Sequence, residues 1–258
     1  MFNPKTNTIA ELAKKVPELI ENLKTIFDQP TNVYIDFANV IHWQDKLQWH
    51  IDLKRLQQFL DSFTNVKNVN FYYGTLVGNR NSENIIQKTK NRRYNVITKP
   101  VKIMRLSIDI SSIPLDSTKI IEQFIRPPLL KKLNIETVEF LNRKLQELNK
   151  QGVKYLEDRK CNFDVEIGRD MLIDYHENKA QNFILWSGDS DFADPVKQLL
   201  SDGRRVSLFI TVRKVATELN ELKKDGLRIF EIQKIRNFIC YKREIRLDKL
   251  PIKAKRTQ

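Results

Sequence analysis

Residues 185–195 read LWSGDSDFADP. An apolar run ends here in Ser187 and Gly188, and three aspartates, Asp189, Asp191 and Asp194, follow within six residues. Like charges so close together repel and are costly to keep ionised. The apolar run NFILWS (182–187) reads as a buried strand, and Pro195 suits the first position of a helix over 195–202. A strand, an acidic turn and a helix form the basic unit of an α/β fold. In such folds ligands bind outside the carboxyl ends of parallel strands.

The same alternation extends in both directions. Upstream, NVYIDFANV (32–40) reads as a buried strand in which Asp36 closes VYIDF. A helix follows at 52–63, a strand at 69–76, a helix at 82–93 and a third strand over 94–106. Downstream of a helix at 164–178 and the opening strand come a strand at 205–211, a helix at 213–224 and a strand at 227–233. Strands alternating with helices predict a mostly parallel, twisted sheet with helices on both faces. Residues 8–27 have helical apolar spacing, and Pro17 should kink or restart that helix. Between 107 and 158 the pattern is less regular. A helix over 118–125 is broken by Pro127 and Pro128, and Val138, Leu141, Leu145 and Leu148 space a helix over 136–149 like a short coiled-coil seam. That seam packs on its own domain or serves as a dimer contact. The expected layout is an N-terminal helical extension (1–30), an α/β domain (31–240) with a helical insertion at about 107–158, and a basic tail (241–258).

The chain has 258 residues, a net charge of +13 and 41% hydrophobic residues. Such a composition is that of a folded protein with a polyanionic partner, nucleic acid before an anionic membrane surface. The N-terminus lacks the apolar core of a secretory signal, and no run approaches the length of a membrane span. The expectation is therefore a cytoplasmic protein that does not enter the membrane. Cys161 and Cys240 form no CxxC pair, and no histidine joins a cysteine at zinc spacing.

Chemistry is expected where the aspartates meet. Asp36 ends one strand and Asp189 and Asp191 follow another, so both strands can aim carboxylates into one crevice. Asp164 opens the helix in KCNFDVEIGRDM (160–171), with Gly168 and Met171 on its face. Asp170 lies about 240° round from Asp164 and either pairs with a basic neighbour or touches the site. Hard oxygen donors without histidine or cysteine favour Mg2+ or Mn2+, which would relieve the repulsion among the aspartates. Asp194, directly before Pro195, is expected to cap the helix rather than bind a cation.

IDFAN (35–39), FDVEIGRDM (163–171) and LWSGDSDFADPVKQLLSDGRRV (185–206) resemble the NYN domain of the PIN-like nucleases, in its LabA-like branch. The resemblance spans about residues 32–235. It implies a Rossmann-like PIN fold and Mg2+- or Mn2+-dependent cleavage of RNA, single-stranded by expectation. Asp36, Asp164, Asp189 and Asp191 would hold the metal, supported by Asn39 and Ser187. Lys99, Lys160, Arg204, Arg205, Arg213 and Lys214 are the candidates for gripping the phosphate backbone, Lys160 being close in sequence to Asp164. A homodimer could form through the insertion or the N-terminal helix. The competing readings are a non-catalytic RNA- or protein-binding module and, with less support, a phosphatase or nucleotide hydrolase. The latter is weakened by the absence of a glycine-rich phosphate loop.

Overall fold

A computed structural model describes residues 1–47, 49–211 and 215–241. The chain divides into two compact units, one of Met1–Pro100 together with residues from Asn162 onward, the other of Val101–Cys161.

The first unit begins with α1 (Asn7–Lys15) and α2 (Pro17–Ile26). Thr6 caps α1 by accepting from the Ile9 amide, and Pro17 opens α2 at its first turn, where no backbone donor is needed. Strand β1 (Thr31–Asp36) is buried along its whole length. It ends at Asp36, and Phe37–Leu47 forms α3, so the strand expected over 32–40 is cut short. The cause is local. The Asp36 carboxylate accepts from the Asn39 amide at 3.3 Å, which makes Asp36 the cap of α3 and overrides the strand preference of the residues that follow.

Strand β2 (His50–Ile51), α4 (Leu53–Leu60), β3 (Val66–Thr75), α5 (Arg80–Lys90) and β4 (Asn95–Pro100) come next. The expected strand over 94–106 is two strands. It breaks after Pro100, and β5 (Lys102–Ser107) belongs to the second unit. Proline supplies no ladder donor, so it suits a strand end. Past the second unit the chain forms α8 (Asp164–His176), β7 (Asn182–Trp186), α9 (Ala193–Ser201), β8 (Arg205–Ile210), α10 (Thr217–Glu221), β9 (Arg228–Glu231), α11 (Arg236–Ile239) and β10 (Cys240–Tyr241). Of the helix expected over 213–224, Val215 and Ala216 are not helical, and α10 and a 3₁₀ turn at Leu222–Asp225 form the rest of its described part. The basic tail beyond Tyr241 lies outside them.

Six strands form one parallel sheet in the order β4-β3-β1-β7-β8-β9. Strand order reverses at β1 and β7, the central pair, which is where an open α/β sheet forms its crevice. Side chains alternate between the faces. On one face Asn32 and Tyr34 of β1 donate to Asp174 of α8 at 2.8 and 2.7 Å, and Tyr72 of β3 donates to Asp170 at 2.9 Å. On the other, Phe71 of β3 packs on Phe37 of α3 and on Tyr94. Helices therefore cover both faces, as expected. Asp36 lies two residues beyond Tyr34 and so faces α8.

Arg55 of α4 fastens the end of this unit. It donates to the carbonyls of Phe238 (3.2 Å) and Cys240 (2.6 Å) and to that of Asn237, covering the open carbonyl end of α11. Cys240 pairs with Ile51 in the short antiparallel β2–β10 ribbon.

The second unit pairs β5 with β6 (Tyr155–Lys160) as an antiparallel ribbon and carries α6 (Pro127–Leu130) and α7 (Ile135–Lys150). The helix expected over 118–125 is a 3₁₀ turn at Ile121–Gln123, and β6 was not expected, its YLEDRK sequence being mostly charged. The unit has its own core of Ile108, Ile110 and Ile120, against which Leu145 of α7 packs. Val138 is buried, and Asn142 reaches the carbonyls of Leu115 and Ser117 at 2.6 and 2.8 Å. The apolar seam of α7 thus packs within its own unit, with Leu148 left exposed. Among the described residues no helix is long and apolar enough to cross a membrane.

Candidate functional site

The carboxyl ends of β1 and β7 bring the predicted residues together. Asp36 is 7% exposed and Ser187 fully buried. The Ser187 hydroxyl donates to Asp36 Oδ2 at 3.5 Å, while Asn39 Nδ2 and the Asp189 amide donate to that hydroxyl at 3.2 and 3.4 Å. One serine therefore bridges the two strand ends, and Asn39, one turn into α3, holds it. The SGDSDF turn becomes a 3₁₀ turn at Ser190–Phe192, in which Asp189 accepts from the Asp191 amide at 3.4 Å. The buried Phe192 ties the turn to the core and leaves Asp189 and Asp191 exposed.

Asp164 enters from the first turn of α8, with its carboxyl within hydrogen-bond reach of Asp191. Burial raises its pKa to about 6, and the charges of Asp36, Asp189 and Asp191 push the same way. Burial likewise raises Asp36, opposed by the Asn39 amide and reinforced by Asp189. Four carboxyl groups thus crowd one end of the sheet, and Asp36 and Asp164 are the harder to ionise for it. Among the described residues, however, no group of three or more His, Cys, Asp or Glu side chains stands ready to hold a metal ion.

The raised pKa sets a direction for stability. Between about pH 4 and 6 the folded chain keeps a proton on Asp164 that the unfolded chain has released, so stability falls as pH rises through that window. Asp164 is half-buried, and solvent screening reduces the effect to about 1 kcal/mol. Without divalent ions, Asp164→Asn is therefore expected to be more stable than wild type at pH 7 by about that amount, and equal to it at pH 4. Urea denaturation at the two pH values measures this. An Asn variant that is less stable at pH 7 would contradict the crowding.

The remaining predicted residues scatter. Lys99, at the end of β4, pairs with Glu166 at 2.6 Å and lies 4.8 Å over the Phe163 ring, so it braces both flanks of Asp164. Lys160 belongs to β6 of the second unit, 3.6 Å from Asp158. Arg204 and Arg205 are not brought to the carboxylates. Arg205 stands level with Asn182, at the start of the parallel β7–β8 pair, about 16 Å along the sheet from Ser187. Arg205 pairs with Asp28 at 2.6 Å; Arg204 covers the Tyr175 ring at 5.0 Å and donates to Gln181 and Asn178. Gly203, at φ 72°, ends α9 in the left-handed conformation that only glycine adopts freely, and the Arg204 amide returns to the Leu199 carbonyl at 2.9 Å. Arg213 and Lys214 lie outside the described residues.

Asp194 is not a cap, because α9 starts at Ala193 and places it inside the first turn, where its charge suits the helix dipole. Asp170 pairs with Arg169 at 2.7 Å and accepts from Tyr72, so it locks α8 to the sheet. Sequence reading missed the opposite wall of the site. Asn39, Gly188, Asp189, Ser190, Val215 and Ala216 line a cleft of about 330 Å³, and the Ala216 amide donates to the Gly188 carbonyl at 3.1 Å. Val215 and Ala216 carry no chemical signal that a sequence could display.

The NYN domain family matches residues 30–226. The chain belongs to that family. NYN domains are generally nucleases of the PIN-like superfamily and typically depend on divalent metal ions. The matched span runs from β1 past α10 and includes Asp36, Asp164, Asp189 and Asp191. The fold is similar to that of VPA0982 from Vibrio parahaemolyticus RIMD 2210633, a protein of unknown function. The identity is 13%, the TM-score 0.50, and the match covers 82% of this chain and 96% of that one. No curated protein matches the chain.

Proposed function

We propose that this NYN domain, of the LabA-like branch, is a ribonuclease that hydrolyses phosphodiester bonds of single-stranded RNA with Mg2+ or Mn2+. The observation carrying this reading is the buried Asp36, fixed by Ser187 and Asn39 at the sheet's switch point within electrostatic reach of Asp164 and Asp189, with Asp191 in turn beside Asp164. The donor set fits a hard divalent cation, since every donor is a carboxylate oxygen and a cation would offset the repulsion that raises the Asp36 and Asp164 pKa values. Asp36 supplies a fixed oxygen, while Asp189 and Asp191 add exposed carboxylates from the short turn after β7. A divalent cation held there would polarise a phosphoryl oxygen and lower the pKa of a water molecule. Ser187 and Asn39 keep Asp36 in one rotamer, and Lys99 holds the first turn of α8 so that Asp164 stays beside Asp191.

The open arrangement of the carboxylates favours one alternative, an RNA- or protein-binding module without turnover. Incubating end-labelled single-stranded RNA with the chain in Mg2+, in Mn2+ and in chelator separates the two. Shortened products that vanish with chelator are expected. RNA affinity that survives chelation, with no product under any ion, would establish the binding module instead.

A further inference from the structure

On the side of α3 away from Asn39, Phe37, Ile41 and Gln44 form one wall of a cleft of about 280 Å³. These positions lie four and three residues apart, on one helix face, and Asn39 is about 200° round from Phe37. Lys54 of α4 and Lys88 and Arg92 at the end of α5 line the cleft. A second cleft, of about 430 Å³, is lined by the same three cations together with Gln57, Gln58, Asn91 and one acid, Asp61.

Ordinary helix electrostatics accounts for part of this cluster. Lys88 lies in the last turn of α5, where a cation suits the dipole, and Arg92 donates to the Lys88 carbonyl at 2.6 Å. Lys54 is different. It sits in the first turn of α4, the positive end of that helix, where a cation is unfavourable. Among the described residues neither Lys54 nor Lys88 makes an ion pair. One acid stands on each cleft, Asp52 on the first and Asp61 on the second, against the three cations common to both. The Asp52 carboxylate is occupied in capping α4, and the charges of Arg93 and Lys5 already bear on Asp61. Three cations that converge on walls carrying two acids, with Lys54 given no role by the fold, describe a surface for a chain of phosphates. Among the described residues no large apolar side chain is exposed on α4 or α5, so the surface lacks what a membrane-seeking face would insert.

We propose that the paired cleft around Lys54, Lys88 and Arg92 is an exosite for the phosphate backbone of an RNA strand, separate from the carboxylate site and divided from it by α3. That the polyanion is RNA rests on the function proposed above. A helix is about 10 Å across, so a strand held at Asp36 crosses α3 in a few nucleotides. Long RNAs therefore use both surfaces.

The test reads binding alone. Asp36→Asn full-length protein is titrated against fluorescent single-stranded RNA of about 20 nucleotides, over a salt series in chelator, with and without Lys54→Ala, Lys88→Ala and Arg92→Ala together. Loss of three contacts predicts an affinity at least about 10-fold weaker and a log–log salt slope shallower by about 2. The triple variant Lys197→Ala, Lys223→Ala and Lys224→Ala, which removes equal charge elsewhere, is expected to bind within about 2-fold of its parent. Equal losses in both variants would reduce the effect to net charge and overturn the proposal, as would no loss in either. Loss of binding to phosphatidylserine vesicles with RNA affinity intact would overturn it in favour of a membrane. If the first triple variant does not fold, Lys54→Glu and Lys88→Glu are read singly by the same criteria. The exosite stands if the wild type binds RNA through these residues but never cleaves it; only the nuclease reading fails then.

Discussion

Asp36→Asn is expected to lower RNA cleavage by at least about 1000-fold while leaving the protein as stable as wild type or slightly more so. The two halves of this expectation share one cause. Asp36 is buried, and burial together with Asp189 makes its ionised form costly in the free protein. An asparagine carries no charge to repel its neighbours, and its carbonyl can still accept from the Asn39 amide and so still cap α3. What it cannot do is offer a negative oxygen to a divalent cation. Single-turnover cleavage in Mn2+ and a thermal melt in chelator, run on the same preparation, make the comparison. An inactive variant with an unchanged melt supports the site. Activity within about tenfold of wild type would remove Asp36 from it.

Asp174→Ala is the substitution expected to cost most stability, about 2–4 kcal/mol. Asp174 accepts from the Tyr34 hydroxyl and from the Asn32 amide, and both donors rise from the fully buried strand β1. Burial, and then the hydrogen bond to Asp174, raises the Tyr34 pKa, so the tyrosine remains a donor at every working pH. Alanine leaves both donors buried without an acceptor. At this chain length the loss corresponds to a melting temperature lower by roughly 4–16 °C. Asp174→Asn retains an acceptor and is expected to cost less than half as much, and Tyr34→Phe, which removes the donor itself, about 1 kcal/mol. An alanine variant that melts with wild type would show that α8 is held by packing alone. The same tie matters for the site, since α8 carries Asp164 at its other end.

Most of the site is legible in the chain because its residues cluster around two strand ends. SGDSDF and IDFAN each place an acid where a buried apolar run stops, and the parallel sheet does the rest. The misreadings share a cause as well. Asp194 was expected to cap a helix that in fact begins before it, and FANV was expected to extend a strand that the Asp36 cap turns into a helix. A cap is a single hydrogen bond, and apolar periodicity does not register it. Arg204 and Arg205 attract notice as paired cations, but their strand starts where β7 starts, so they stand at the far edge from the carboxylates.

By itself the sequence determined the α/β alternation, the restart of the first helix at Pro17 and the acidic strand ends, because these depend on neighbours within a few residues. Only the tertiary structure decided that β1 and β7 lie side by side, that Ser187 joins their ends, and that Lys54, Lys88 and Arg92 line common clefts. Those relations join Ser187 to Asp36 and Lys54 to Lys88 and Arg92, pairs more than thirty positions apart. Strand order and helix packing create them, and no local pattern in a chain encodes which distant partner completes a charge or a hydrogen bond.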